Sequence, residues 1–439
     1  VRRRVLIGLV AACSLLAGAA SASALTLSQA LARAGVPAAE RQAYLQTNAQ
    51  ARALATRRGG TTGVELRAVI RSSTAIAKRP SSSPALIGIA FRELGGNVAY
   101  LGSRSLPAVG ARVRIGGLVF ERYAGQGLRI QPLGTYWAIY EPGAGIAAEG
   151  GVSKALESAL GIALPKGDGL TLPYLFAWDG AAPPWYSAMA EGMAASAALR
   201  TWGITGDDDQ LDAALRFGNA TLDRAVPGAE NGLWFPLYAF KPSYRVLNGH
   251  LQALIAIGQL AEATGDPELD DAFQRGTRTT VAVLPRYDAG GWGRYAPGQD
   301  APVKYMTLMR DQLRELGEMT GDASLTAMGD RFARDLVTPP VVTGPRQAPR
   351  PVRLRPGAKP SVAIAVRRDK PVRLAVRVLA LNGKATKAPV TSVSLSSGSS
   401  RVRIALPRRK GVYRLVATAT DWTGRTTTGI RLAVVKVRR

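Results

Sequence analysis

One histidine, His250, one cysteine, Cys13, and thirteen tyrosines set the terms on which this chain can move protons. With Cys13 inside the N-terminal apolar run, the remainder has no thiolate nucleophile and no cysteine metal site, and a lone histidine cannot make a multi-histidine centre. The tyrosines gather with tryptophans and cations in three segments: PPWYSAM at 183–189, FPLYAFKPSYRVLNGH at 235–250 and GGWGRYAPGQDAPVKY at 290–305. Tyrosine acts as acid or base when cations lower its pKa from about 10. Tyr238, Tyr244, Tyr295 and Tyr305, close in sequence to Lys241, Arg245, Arg294 and Lys304, supply that combination. It suits removal of a weakly acidic proton beside a carboxylate and return of a proton from the opposite face. Trp185, Trp234 and Trp292 are candidates to stack on sugar rings, Tyr186 and Tyr287 to orient substrate, and Asn248 to hydrogen-bond it. No calcium-type ligand set is visible, the acidic run Asp207 to Asp209 reads as helix capping, and neither metal nor cofactor is expected.

Such residues need elements that bring them together. Each aromatic segment opens a helix, and each of these helices is joined to a partner through a repeated turn: ITGDDDQL at 204–211, ATGDPEL at 263–269 and MTGDASL at 319–325. Gly206, Gly265 and Gly321 read as left-handed helix terminators, with the aspartate after each as a cap for the next helix. The turns recur at the length of two helices plus two connections, about 55 to 60 residues. If every turn closes one end of a hairpin, the aromatic segments lie at the other end and converge on one face. The wide apolar stripe of Leu247, Leu251, Leu254, Ile255 and Leu260 fits a helix packed on both sides in an (α/α) toroid. Glu191 reads as a buried partner at a helix start, with Arg245 as its candidate cation, and His250 as a structural residue.

The rest of the chain divides by composition. Residues 1–24 carry Arg2, Arg3 and Arg4, an apolar run and the small-residue pattern Ala22-Ser23-Ala24, the form of a signal peptide. The expectation is export, with a secreted or cell-surface location and no transmembrane span after cleavage. Residues 25–62 read as a helical segment, 63–133 as a small β-rich segment with strands between Asn97 and Leu133, 134–336 as the toroid, and 337–351 as a proline-rich linker. Residues 352–439 alternate apolar and polar positions as a β-sandwich does. The fold class expected is therefore multidomain α+β. The formal charge of +26 is uneven, since residues 341–439 hold 23 lysines and arginines against Asp369 and Asp421 alone. An anionic cell-wall polymer or acidic polysaccharide is the expected partner of this basic module, and nucleic acid is not. Nothing in the sequence sets the oligomeric state.

Three of these motifs carry a resemblance. PWYSAMAEG at 184–192, PSYRVLNG at 242–249 and LPRYDAGGWGRY at 284–295 resemble the catalytic domain of D-glucuronyl C5-epimerases, and FERYAGQGLRIQPLGTY at 120–136 is similar to the segment that precedes it in that family. The resemblance covers about Phe120 to Leu336. It implies a toroid that epimerises uronosyl residues of an acidic polysaccharide without a cofactor, with tyrosines carrying the proton transfers at Tyr238, Tyr295 and Tyr305. One departure stands out: the acidic residue before the first tyrosine in the best-known animal members is Leu237 here. Two other readings share the same residues, a uronate polysaccharide lyase and a non-catalytic glycan-binding surface protein. An unsaturated-uronyl hydrolase would need a carboxylic acid in these loops, where only Glu230, Asp288 and Asp300 stand. Finally, GVYRLVATATDWTG at 411–424 resembles the closing hairpin of bacterial immunoglobulin-like domains.

Overall fold

The structure is a computed structural model that describes residues 25–141, 149–345 and 347–438. The expected signal peptide and Cys13 lie outside the described residues. Four helices come first, α1 (Leu27–Arg33), α2 (Ala38–Arg58), α3 (Gly60–Lys78) and α4 (Pro84–Ser103). Only then does a sheet form, from β1 (Arg112–Ile115), β2 (Leu118–Tyr123) and β3 (Gly127–Ile130). This corrects the β-rich expectation for 63–133, because VAYLGS at 98–103 is the last turn of α4 and not a strand. Ser83 caps α4 and Pro84 occupies its first turn, while Ile87, Ala90, Phe91, Leu94 and Leu101 are buried at helical spacing. Two ion pairs fasten the sheet to the helices. Arg122 Nη2 lies 2.9 Å from Glu65, and Arg129 Nη1 lies 2.8 Å from Glu93, whose other oxygen accepts the Ile130 N–H.

Four helical hairpins follow: α5 (Pro132–Tyr140) with α6 (Glu149–Leu160), then after the ribbon β4 (Leu164–Lys166) and β5 (Gly169–Thr171), α7 (Ala188–Thr205) with α8 (Asp208–Asp223). A second ribbon of β6 (Val226–Pro227) and β7 (Leu233–Trp234) leads to α9 (Leu247–Thr264) with α10 (Pro267–Val283). A third, β8 (Arg294–Ala296) and β9 (Gln299–Asp300), leads to α11 (Val303–Thr320) with α12 (Ala323–Val337). Helices α5, α7, α9 and α11 form an inner layer in which α7 packs on both α5 and α9, and α9 on α11, while α6, α8, α10 and α12 lie outside. The repeated turns are as the sequence predicts. Gly206, Gly265 and Gly321 adopt φ near +70° at the helix ends, and Asp207, Asp266 and Asp322 cap the following helices through backbone N–H groups. Close approach of α7 to α9 depends on small residues, since a Cβ on Gly192 would sit 2.9 Å from the Cα of Ala253.

The C-terminal unit has two sheets over its own apolar core of Val366, Leu374, Val376, Ile404, Leu415 and Val435 among others. One sheet orders β10 (Val342–Thr343), β12 (Ser361–Arg368) and β15 (Gly398–Ala405). The other orders β11 (Val352–Arg353), β17 (Thr426–Arg438), β16 (Gly411–Asp421), β13 (Val372–Ala380) and β14 (Thr391–Leu395). Burial alternates along β12 and β13, which is what one buried and one wet face require. Part of the expected proline-rich linker at 337–351 joins the sheet: Val342 and Thr343 pair with β12. The buried Lys370 ammonium also donates to the Asp335 and Thr338 carbonyls at 2.7 and 2.8 Å. No helix of the described residues is long and apolar enough to cross a membrane.

Candidate active site

The aromatic segments do meet. They close around a narrow cavity of about 190 Å³ that opens into a shallower one of about 640 Å³. Tyr238, Tyr295 and Tyr305 line both. Their rings form a chain with Tyr244: Tyr238 to Tyr244 is 6.3 Å between centroids, Tyr244 to Tyr295 is 6.3 Å, and Tyr295 to Tyr305 is 5.0 Å. Backbone hydrogen bonds hold the segments in register, with Ala239 N donating to Tyr186 O at 3.1 Å and Ala188 N to Pro236 O at 3.3 Å. Tyr305 arrives in the first turn of α11, and Tyr295 sits on β8, where the backbone alternates faces.

The hydroxyls are not equivalent. Burial raises the pKa of Tyr238, but hydrogen bonds with the Trp178 side chain and Tyr295 pull it back down. Burial also raises Tyr295, and there the neighbouring Tyr238 and Tyr305 and the hydrogen bond to Tyr238 add to the rise. Of the two, Tyr238 alone has neighbours that oppose the rise.

The walls contain polar groups with room for a ligand. Asn248 is buried in the narrow cavity, its Oδ1 has no protein partner among the described residues, and its Nδ2 meets only Met189 Sδ at 3.8 Å. Gln131 lines the same cavity, donates its Nε2 to Tyr123 Oη and leaves Oε1 without a protein partner among the described residues. Arg112 is the cation of this wall, paired to Glu121 at 2.8 Å across the β1–β2 hairpin and still half exposed. In the outer cavity Lys241 bonds Asp179 at 2.6 Å, and the Tyr244 hydroxyl reaches Gln299.

Several expected contacts lie elsewhere. Trp185 borders the narrow cavity but is buried, stacked on Tyr174 at 3.9 Å, with its indole N–H on Phe176 O. Trp292 is fully buried and donates to Ala301 O at 2.8 Å, so it packs the loop and is no platform for a sugar. Trp234 is likewise buried, stacked on His250. Arg245 lies over the Trp234 ring and donates to Pro227 O, and Arg294 donates to Arg286 O, so both cations are committed to the scaffold. Lys304 is exposed outside the cavity lining, Tyr186 lies under the Arg224 guanidinium, and the Tyr287 hydroxyl donates to Arg245 O. Glu191 pairs with Arg224 and not Arg245, at 3.1 Å, and its burial pushes the carboxyl up to about 7 against that pairing. His250 accepts the Phe235 N–H at Nδ1, which leaves Nε2 to donate to Thr280 Oγ1; burial lowers its pKa to about 3.

Sequence reasoning missed Trp178, Gln131, Arg112 and Glu121. Two signals pointed at Trp178, Arg112 and Glu121, and none at Gln131. Tyr174, Phe176 and Trp178 recur at every second residue, which puts three aromatics on one side of an extended segment. The Gly116-Gly117 pair between two alternating runs is a hairpin turn, and counting outward from it pairs Arg112 with Glu121. No group of three or more metal-ligating side chains occurs among the described residues.

Residues 172–334 match the family model described as D-glucuronyl C5-epimerase C-terminus. An uncharacterized protein of Methanocaldococcus jannaschii is 30% identical over 151 residues, 31% of this chain and 48% of that protein. The D-glucuronyl C5-epimerase of Caenorhabditis elegans is 29% identical over 125 residues, 25% of this chain and 20% of that protein. The chain thus spans about half of the first relative and a fifth of the second. Among solved structures, a GH76 alpha-mannanase of Bacteroides thetaiotaomicron overlaps 47% of this chain and 61% of its own at 15% identity, with a TM-score of 0.37, too low to carry an argument about chemistry. Tyr238, Tyr295 and Tyr305 fall within the segment that matches the D-glucuronyl C5-epimerase C-terminus model, whereas Arg112, Glu121, Tyr123, Gln131 and Leu133 of the same cavity come from before it.

Proposed function

We propose that the chain is a carbohydrate epimerase that inverts C5 of uronosyl residues within an acidic polysaccharide. The observation that carries this reading is the convergence of Tyr238, Tyr295 and Tyr305 on one cavity, all three from the segment that matches the C5-epimerase model. In the proposed reaction Tyr238, as the phenolate, takes the C5 proton, and the electron pair left at C5 spreads into the substrate carboxyl group. Tyr295 or Tyr305 then returns a proton to the opposite face. Arg112 at the cavity wall would receive the substrate carboxylate by turning from Glu121, which stabilises the charge that develops on it. Asn248 Oδ1 and Gln131 Oε1 are acceptors for sugar hydroxyls. The basic C-terminal unit would hold an anionic polymer, the substrate or a wall polymer, near the cavity, and the pattern of residues 1–24 supports an exported protein.

The test is proton NMR of uronate polysaccharides incubated with the full chain in heavy water. Deuterium at C5 with chain length retained is the expected result. Tyr295→Phe should cut the exchange by about 100-fold or more while polymer binding persists, and Arg112→Gln should lower kcat about tenfold or more as well as raise KM, since it removes both a carboxylate partner and the stabilisation of the developing charge. Unsaturated products absorbing in the ultraviolet would make the protein a lyase. Leu237 favours a second reading, a glycan-binding protein without catalysis, because it fills the cavity wall where the animal relatives carry an acid. Binding with no exchange on any uronate polymer would establish that reading.

A further inference from the structure

The C-terminal sheet unit touches the tyrosine-bearing loop directly. Asp300, on β9 between Tyr295 and Tyr305, is buried, and the only hydrogen-bond donors that reach its carboxylate among the described residues come from Ser397, in the turn between β14 and β15. Oδ2 accepts the Ser397 N–H at 2.7 Å and Oδ1 accepts the Ser397 hydroxyl. That turn is itself pinned, because the buried Arg368 guanidinium donates to Ser396 O, Val366 O and Ser400 Oγ. Alternation along β9 places Gln299 on the other side, where it accepts the Tyr244 hydroxyl at the outer cavity. One two-residue strand therefore presents its glutamine to the cleft and its carboxylate to the sheet unit.

A second contact fixes the same loop further back. Trp292 stands edge-on to Trp422 of the sheet unit at 6.4 Å and 89°, and Lys370 Nζ lies 5.7 Å from the Trp292 ring. Gly291 is pressed against the sheet unit so closely that a Cβ there would meet the Asp369 Cβ at 2.7 Å. A tether whose only duty was to hold polymer would require none of these contacts.

We infer that the C-terminal sheet unit is part of the cleft machinery: through Ser397 and Asp300 it holds the loop of residues 290–302 in the conformation that sets Tyr295 against Tyr238, so that Asp300 and Ser397 are positioning residues. The consequence for activity rests on the function proposed above; the consequence for the loop does not. The experiment compares the full chain with Ser397→Ala and Asp300→Asn by amide hydrogen exchange and by C5 deuterium incorporation. Expected for both variants is a loss of amide protection confined to 290–302, at least tenfold, with protection in α7 and α9 unchanged. Expected alongside is a fall in kcat of about tenfold or more at a KM within twofold; a loss of folded protein would lower kcat in the same way, and the unchanged protection of α7 and α9 excludes it. Unchanged protection of 290–302 in both variants overturns the inference, as does lost protection with an unaltered kcat. Should the unmodified chain show no C5 exchange while both variants lose loop protection, the latch stands and the epimerase reading falls.

Discussion

At the residue scale, the decisive property is which phenol can ionise. Tyr238 and Tyr295 are both pushed above the ordinary tyrosine value by burial, yet only Tyr238 receives donors that oppose the push. Trp178 is one of them, and it carries no charge. Replacing it by phenylalanine keeps an aromatic ring beside the cavity but removes the indole N–H. The Tyr238 pKa then rises further, so at neutral pH a smaller fraction is phenolate. We expect Trp178→Phe to lower C5 exchange by about tenfold near pH 7, because one lost donor on a buried anion is worth about 1.5–3 kcal/mol. We also expect the alkaline rise of the rate to move to higher pH, so that part of the loss is recovered there. A pH–rate profile with the same midpoint as the unmodified chain would remove Trp178 from the mechanism. The sequence showed that tyrosines and cations were rich in three loops, and all three loops do meet. It did not show which cations face the cavity: Arg245 and Arg294 are engaged by carbonyls of their own neighbourhood, whereas Arg112 comes from a hairpin remote in sequence. Proximity in sequence is a poor guide to direction when a loop turns its side chains both inward and outward.

At the element scale, the hairpins were legible because turn chemistry is local. A left-handed glycine followed by an aspartate cap specifies a helix end and a helix start within two residues, and all three copies do so. Helix α4 was harder to read because an apolar helix end and a short strand look alike over six residues. Two devices hold α9 in place, and each gives a prediction. Gly192 lets α7 approach α9, so Gly192→Ala forces a methyl against the Ala253 backbone; we expect a loss of about 1–3 kcal/mol in urea denaturation, as overpacking costs in well-filled cores. His250, buried in α9, fastens the second aromatic loop through Phe235 N. Its pKa falls from about 6.5 in the unfolded chain to about 3 in the folded one. The neutral ring therefore contributes its full stability above about pH 6.5, and that contribution is lost as pH drops towards 3. His250→Asn offers an oxygen in place of Nδ1 and does not titrate. We expect the stability difference between the unmodified chain and this variant to shrink by several kcal/mol as pH falls across that window; a constant difference would mean that His250 has the same pKa in the folded and unfolded chains.

At the scale of the whole molecule, the charge is divided between two units that touch at the loop bearing Tyr295. Residues 341–439 carry nearly all of the excess positive charge. Around one cavity of about 700 Å³ in that unit stand Lys359, Lys387, Arg408 and Arg409, above a floor that includes Pro360, Leu406 and Tyr413, and no carboxylate lines it. A uronate polymer crossing such a surface would displace its own counterions, and the affinity gained would fall as salt rises. Attraction between separated surface charges is screened beyond a Debye length of about 8 Å at physiological ionic strength. Cleft chemistry obeys different rules, since the tyrosine cavity is narrow and its Tyr238 and Tyr295 are largely withdrawn from solvent. Replacing all four cations by glutamine should weaken binding of a long uronate polymer by about tenfold or more at low salt, at roughly 0.2–1 kcal/mol for each exposed charge contact removed. It should also flatten the dependence of affinity on salt. The value of kcat on a short oligosaccharide, which spans the cleft alone, should not change. Equal salt slopes for the two proteins would place polymer attraction elsewhere on the basic surface, whereas a fall in kcat on the short substrate would mean that these cations act on the tyrosine loop through the same sheet unit that Ser397 joins to it.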